Sequence, residues 1–161
     1  MPVFYETKNF KVKAADEALI DRKDGGHILI IPKSRKASKE HRWELETTVA
    51  ENLMTLSMIV GEAMFKAMKK KGILLDRINF QDNGNWSIGT KRKNKVHVHL
   101  FGRAKKSKHQ KRGESITFPL KKTKFWRKLE PLNQEDIKEI LKQMKIISKK
   151  KKYRKTKWKS L

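Results

Sequence analysis

Lys95-Val96-His97-Val98-His99-Leu100-Phe101-Gly102-Arg103 alternates polar and apolar side chains over its first six residues. Successive side chains of a strand point to opposite faces. Lys95, His97 and His99 therefore share one face, and Val96, Val98 and Leu100 share the other, toward a core. Three cationic or potentially cationic groups then stand in a row, about 6.5–7 Å from one to the next, a spacing that suits a chain of phosphates. Imidazole has an ordinary pKa of about 6.5, so most of it is neutral and nucleophilic at pH 7. One ring can attack phosphorus and form a covalent intermediate. Its neighbours can stabilise charge on non-bridging oxygens and protonate a leaving group. Three plainer readings fit the same His-x-His: two metal ligands without an obvious third, a solvated strand face, or a phosphate site without catalysis.

Working outward, Leu74 to Gln81 reads as the preceding strand and Val96 to Phe101 as the strand of the histidines, with Asp82-Asn83-Gly84-Asn85 as a turn between. Before them lies a long helix. Leu53, Leu56, Val60, Met64 and Met68 recur at helical spacing, widened by Ile59 and Ala63. Thr48-Val49-Ala50-Glu51 resembles a capping box, and Gly72 is a stop. Met54, Met58, Met64 and Met68 read as core filling. Further upstream, Glu17 to Pro32 reads as a hairpin: Ala18-Leu19-Ile20, a Lys23-Asp24-Gly25-Gly26 turn, then the apolar arm His27 to Pro32, buried on both faces. Downstream, Asn133 caps a helix to Ile147 whose stripe is Ile137, Ile140, Leu141, Met144 and Ile147. Few strands with two unequal helices imply an α+β domain on an antiparallel sheet. The chain divides into a body of residues 1–128, a C-terminal helix of 129–148 and a basic tail of 149–161.

Three segments resemble the histidine-triad (HIT) family. Val96 to Arg103 is similar to its signature, His-φ-His-φ-His-φ-φ followed by Pro or Gly and Arg. Gly26-His27-Ile28-Leu29-Ile30-Ile31-Pro32-Lys33 is similar to its Gly-His-strand-Pro-Lys segment, and Phe80-Gln81-Asp82 to the end of the strand before the triad. The resemblance runs from about Ala18 to Arg103. It implies a HIT-like antiparallel sheet with one long helix, usually a homodimer, that cleaves or transfers nucleotides at the α-phosphate through a nucleotidyl-histidine, with no cofactor. It implies His97 as nucleophile, His99 as the third triad member on the phosphate and His27 as a supporting histidine. Asp21 falls where a ribose-binding acid or amide is expected, and Gln81, with Asn83 as its rival, where a second substrate contact is expected. Ile20, Ile28 and Ile30 are implied for the base pocket. Lys95 stands in place of the first triad histidine. Taking His97 and His99 as the first two members instead would leave Phe101 third, and would displace the hydrophobic pair and Gly102-Arg103. Lys91-Arg92-Lys93-Asn94 replaces the family's Gly-Gln-Ser/Thr-φ approach, so the small phosphate-binding hydroxyl is missing unless Ser87 or Thr90 substitutes. A HIT fold that binds nucleotide or nucleic acid without turnover is the alternative function.

Across the 161 residues, 41 Lys and Arg face 17 Asp and Glu, a formal net charge of +24. Polyanions are the natural partners of such a charge, nucleic acid foremost. A generally Lys-rich composition is the other source. Bases gather after Thr90, and Lys91, Arg92 and Lys93 with Arg154 and Trp158 of the tail are candidate nucleic-acid contacts. Tyr153 and Trp158 interleave with the tail's cations as stacking groups do, although a solvated tail or a nuclear-import address has the same composition. Phe125-Trp126 reads as packing or a strand. With no Cys, disulfides and thiolate chemistry are excluded. No run approaches the ~20 apolar residues of a membrane helix. A cytoplasmic protein is expected, or a nuclear one if the source has a nucleus.

Overall fold

The computed structural model describes residues 3–91 and 93–154, without the side chains of Asn85 and Arg154. Arg92 and Trp158 lie outside the described residues. Five strands form one sheet: β1 (Val3–Glu6), β2 (Phe10–Ala14), β3 (His27–Pro32), β4 (Leu75–Gln81) and β5 (Val98–Ala104). Their order is β1-β2-β3-β5-β4, and every pairing is antiparallel. Two long helices, α1 (Thr47–Lys70) and α2 (Gln134–Ile147), pack on each other, and a short α3 (Lys151–Arg154) follows.

The sheet has two unlike faces. Val12, Ile28, Ile30, Val98 and Leu100 point from β2, β3 and β5 into the core, against Leu53, Leu56, Val60, Met64 and Met68 of α1. Ile137, Ile140, Met144 and Ile147 of α2 complete the same core. Asn133 caps α2 as its sequence suggests, accepting from the Asp136 backbone N–H while Asp136 accepts from that of Asn133. Buried Asp136 also takes Arg22 through two hydrogen bonds of 2.8 and 3.0 Å, which fixes the start of α2 against the loop before β3.

Several expectations change. Ala18, Leu19 and Ile20 are buried but form no strand; the partner of β3 is β2, whose Phe-Lys-Val-Lys-Ala alternation carried the signal. Leu19 and Ile20 instead join Phe101 and Ile116 in a small second cluster on the other face of the sheet. Thr48 lies inside the first turn of α1, which starts from Glu46 with no side-chain cap, so no capping box forms. Gly72 does end the helix: its φ of +78° lets the Ile73 N–H reach back to the Met68 carbonyl at 2.9 Å. Of the four methionines of α1, Met64 and Met68 fill the core, while Met54 and Met58 are exposed. The last strand starts at Val98 and runs on to Ala104. Tyr153 is 3% exposed and packs into the core, so it is no platform for a base. Among the described residues no helix is long and apolar enough to cross a membrane.

Candidate active site

The second sheet face carries the histidines. Cross-strand partners share a face in an antiparallel sheet; His27 lies opposite Phe101 and Leu29 opposite His99. His27, Leu29 and His99 floor a cleft of about 910 Å³, walled by Leu19, Ile31, Asn83, Trp86, Ser87 and Phe118. Lys13, Lys93, Lys95 and Lys121 bring positive charge to it. The run from His27 to Pro32 is apolar at nearly every position because both faces need it: Ile28 and Ile30 go to the core and Leu29 and Ile31 to the cleft.

A close approach of backbones shapes one end. β5 passes over the loop before β3 so tightly that a Cβ on Gly102 would lie 2.3 Å from the Gly25 carbonyl oxygen. The Gly102 N–H donates to the Gly26 carbonyl at 3.0 Å. Gly25 has φ +122°, a conformation that favours glycine. This contact holds His27 beside the histidines of β5.

His27 is 2% exposed and sits between a backbone donor and a second imidazole. The Leu19 N–H points at its Nδ1 at 3.3 Å, which makes that nitrogen the acceptor. Its Nε2–H then donates to Nδ1 of His99, 2.9 Å away, and neutral His99 keeps its proton on Nε2. Burial, with His99 and His97 nearby, pushes the His27 pKa well below 6.5. Burial first, then the charge of His97, lowers His99 to about 3 against a smaller opposing pull from Asp82. Both rings are therefore neutral at pH 7. The Nδ1–H of His97 donates to the Lys95 carbonyl at 2.6 Å, which leaves the lone pair of this tautomer on Nε2. The His97 and His99 ring centres are 4.7 Å apart.

The structure sorts the remaining sequence candidates. Lys95 and Lys93 line the cleft, as do Asn83, Ser87 and Thr90; Lys91 is exposed beyond the lining. Nδ2 of Asn83 is buried with no hydrogen-bond partner among the described residues, and so is Oε1 of Gln81 at the end of β4, outside the lining. Asp21 is not in the cleft. It is 5% exposed, with Oδ1 on the Lys23 N–H at 2.8 Å and Oδ2 on the Glu130 N–H at 2.7 Å. Both oxygens serve the backbone, so a structural clamp replaces the ribose contact expected there. Ile28 and Ile30 likewise miss the cleft, because the alternation of β3 sends them to the core, and Ile20 is buried instead in the small cluster with Leu19, Phe101 and Ile116. Trp126 packs against Trp86 with ring centres 5.6 Å apart.

Sequence reasoning missed five contributors to the cleft. Leu29 and Ile31 follow from His27 by the period of a strand, and Lys13 by the alternation of β2. Phe118 and Lys121 come from an irregular stretch with no periodic signal. That stretch folds back onto the cleft because buried Asp24 accepts from the Lys108 and His109 N–H groups at 2.9 and 3.0 Å, and Gln110 bonds Leu19 and Thr117. Phe118 then packs edge-on to Phe101, and Lys121 lies over Trp86 and pairs with Glu17. Among the described residues no three His, Asp or Glu side chains come together as a metal-holding group.

By sequence the chain matches no protein-family model and no curated protein. By structure it matches a hypothetical histidine triad nucleotide-binding protein from Sulfolobus tokodaii strain7, at 16% identity and a TM-score of 0.59, over 92% of this chain and 87% of that one. A Zn-bound histidine triad family protein from Mycobacterium smegmatis is similar at 15% identity and a TM-score of 0.55, over 92% and 88%. A histidine triad protein from Bradyrhizobium japonicum is similar at 16% identity and a TM-score of 0.55, over 90% and 88%. The fold is that of the histidine-triad proteins.

Proposed function

We propose that the chain binds a nucleotide in this cleft and cleaves it at the α-phosphate through a nucleotidyl-histidine on His97. The observation that carries the reading is the hydrogen-bond chain from the Leu19 N–H through His27 to His99. It presents an N–H of His99 beside the lone pair on Nε2 of His97, whose other nitrogen is occupied by the Lys95 carbonyl. Nε2 of His97 attacks phosphorus as the bond to the leaving group breaks. An oxygen leaving group departs as an anion toward the Lys95 and Lys93 ammonium groups, whereas the nitrogen of a phosphoramidate takes a proton from solvent and departs as the neutral amine. The Nε2–H of His99 meets a non-bridging oxygen. Water then attacks phosphorus, the N–P bond breaks, His97 recovers its neutral form and a proton passes to solvent. The base lies between Leu29, Ile31 and Phe118, and Nδ2 of Asn83, which has no hydrogen-bond partner among the described residues, is available to the substrate.

One observation favours a second reading, a nucleotide-binding module without turnover. Lysine stands at position 95 in place of the first triad histidine, so an imidazole that exchanges protons near neutral pH is missing there. A homodimer across the β4 edge fits either reading: Met54, Met58, Gly61 and Phe65 form one stripe of α1, Phe80 packs over Gly61, and the four apolar side chains are exposed beside an unpaired strand edge.

The test is nucleoside monophosphate release from adenosine phosphoramidate, a dinucleoside polyphosphate and a 5′-adenylated oligonucleotide, by wild type and His97→Ala, with and without chelator. Release that survives chelator and disappears in the variant supports the enzyme. No release above the variant on any substrate leaves the binding module.

A further inference from the structure

Trp43 is 81% exposed, the most of any large hydrophobic residue described. It is not loose. Its ring lies parallel to that of His41, with centres 4.2 Å apart and 6° between planes. The turn that carries it is closed by Glu44, which accepts the His41 N–H at 2.7 Å, and by the Leu45 N–H on the Arg42 carbonyl at 3.1 Å. An ordered aromatic face held open to solvent is what a stacking partner requires, and packing within the chain does not explain it.

The position of this face relative to the cleft is fixed by three contacts. Arg42 pairs with Asp82 at 2.8 Å, and the other oxygen of Asp82 lies 3.5 Å from the His97 backbone nitrogen. The Val96 N–H donates to the Lys39 carbonyl at 2.8 Å. The loop bearing Trp43 is thus anchored to the two residues that lead into β5. From the other side comes a stretch, Asn83 to Gly113, that contains no Asp or Glu. Within it Lys91, Lys93 and Lys95 are exposed, the last two at the mouth of the cleft. The acids of the Trp43 loop are largely engaged, Glu44 as above and Glu46 with Lys36 at 3.1 Å. Exposed lysines at the cleft and a stacking face on a loop bonded to Val96 together suit a polyanion that has exposed bases.

We propose that the loop around Trp43, together with Lys91, Lys93 and Lys95, binds a single strand of nucleic acid, with a base stacked on Trp43 and phosphates on the lysines, so that the strand's end enters the histidine cleft. The surface stands independently of catalysis; for where the strand ends it rests on the function proposed above. Duplex is disfavoured because its bases are already stacked on one another, whereas a single strand offers a free face to an aromatic ring. An acidic polypeptide would use the lysines and leave Trp43 without a role.

The experiment is fluorescence anisotropy of a labelled oligothymidylate of about 16 nucleotides, within the site size of a single-strand groove, at several salt concentrations. Trp43→Ala should weaken binding roughly tenfold, the loss of one base–aromatic stack, and Trp43→Phe should restore most of it. Lys93→Ala and Lys95→Ala should each lower the slope of log K against log salt by about 0.7. Equal melting temperatures for wild type and Trp43→Ala, expected because the ring lies outside the core, assign the loss to the surface. Wild-type affinity in Trp43→Ala overturns the proposal, as does equal binding of polyglutamate or of a duplex of the same length. Because no turnover is needed, absence of hydrolysis counts against the proposed reaction and not against this surface.

Discussion

Acidification should destabilise the fold through the buried histidines, and His99 sets the scale. Folded, its pKa is about 3, because burial and the charge of His97 oppose protonation. Unfolded, it returns to the ordinary value of about 6.5. Between these values the unfolded chain holds the proton and the folded chain does not, so stability rises with pH across that window and is lost as pH falls below about 6.5. Each unit of differential titration is worth about 1.36 kcal/mol. At pH 5 the unfolded ring is about 1.5 units below its pKa while the folded ring is still neutral, so His99 alone removes about 2 kcal/mol relative to pH 7.5. His27 is depressed for the same reason and adds in the same direction. Domains of this kind have about 5–15 kcal/mol in total, so the loss is large enough to measure. Urea unfolding of wild type and His99→Gln at pH 7.5, 6 and 5 makes the comparison. The variant removes the titrating ring, and its stability should fall by about 2 kcal/mol less over that range. Identical pH dependence in the two proteins would refute the link between burial of His99 and its neutrality.

Other outcomes follow from particular contacts. Asp21→Asn can keep only one of its two backbone N–H partners as an acceptor, and should lose about 1–2 kcal/mol in chemical denaturation. Gly102→Ala drives a methyl into the Gly25 carbonyl and should cost about 3 kcal/mol, read as a lower melting temperature. Lys95→His restores an imidazole beside His97, and should raise release of nucleoside monophosphate from a small substrate on the order of ten- to a hundredfold, the low end of what a positioned acid or base contributes. Equal or slower release would show that the lysine is suited to the site as it stands.

Much of this architecture is legible in the sequence because it rests on periodicity. The stripe of α1 from Leu53 to Met68, the Asn133 cap of α2, and the alternation around His97 and His99 all stand where the spacing puts them. The same rule, applied to β3, separates Leu29 and Ile31 from Ile28 and Ile30, and would have given the cleft wall. Where side chains work through non-local backbone partners, spacing is silent. Asp21 is committed to the N–H of Glu130, and Asp24 to the backbone of Lys108 and His109, far along the chain. A buried aspartate on backbone donors and a solvent-facing aspartate on a ribose have the same local sequence. Phe118 and Lys121 reach the cleft only because those long-range bonds fold their irregular segment across it. Trp43 escaped notice because a single aromatic between charges has no period.

The most direct test of the central claim is to trap the covalent state. Wild type is mixed with adenosine phosphoramidate, quenched on the millisecond scale under alkaline conditions that spare N–P bonds, digested and analysed by mass spectrometry. The account predicts an adenylyl group on the peptide containing His97, assigned to that ring by fragmentation and absent in His97→Ala. An adenylyl group on Lys95 or any other residue, or release at the wild-type rate by His97→Ala, would contradict it.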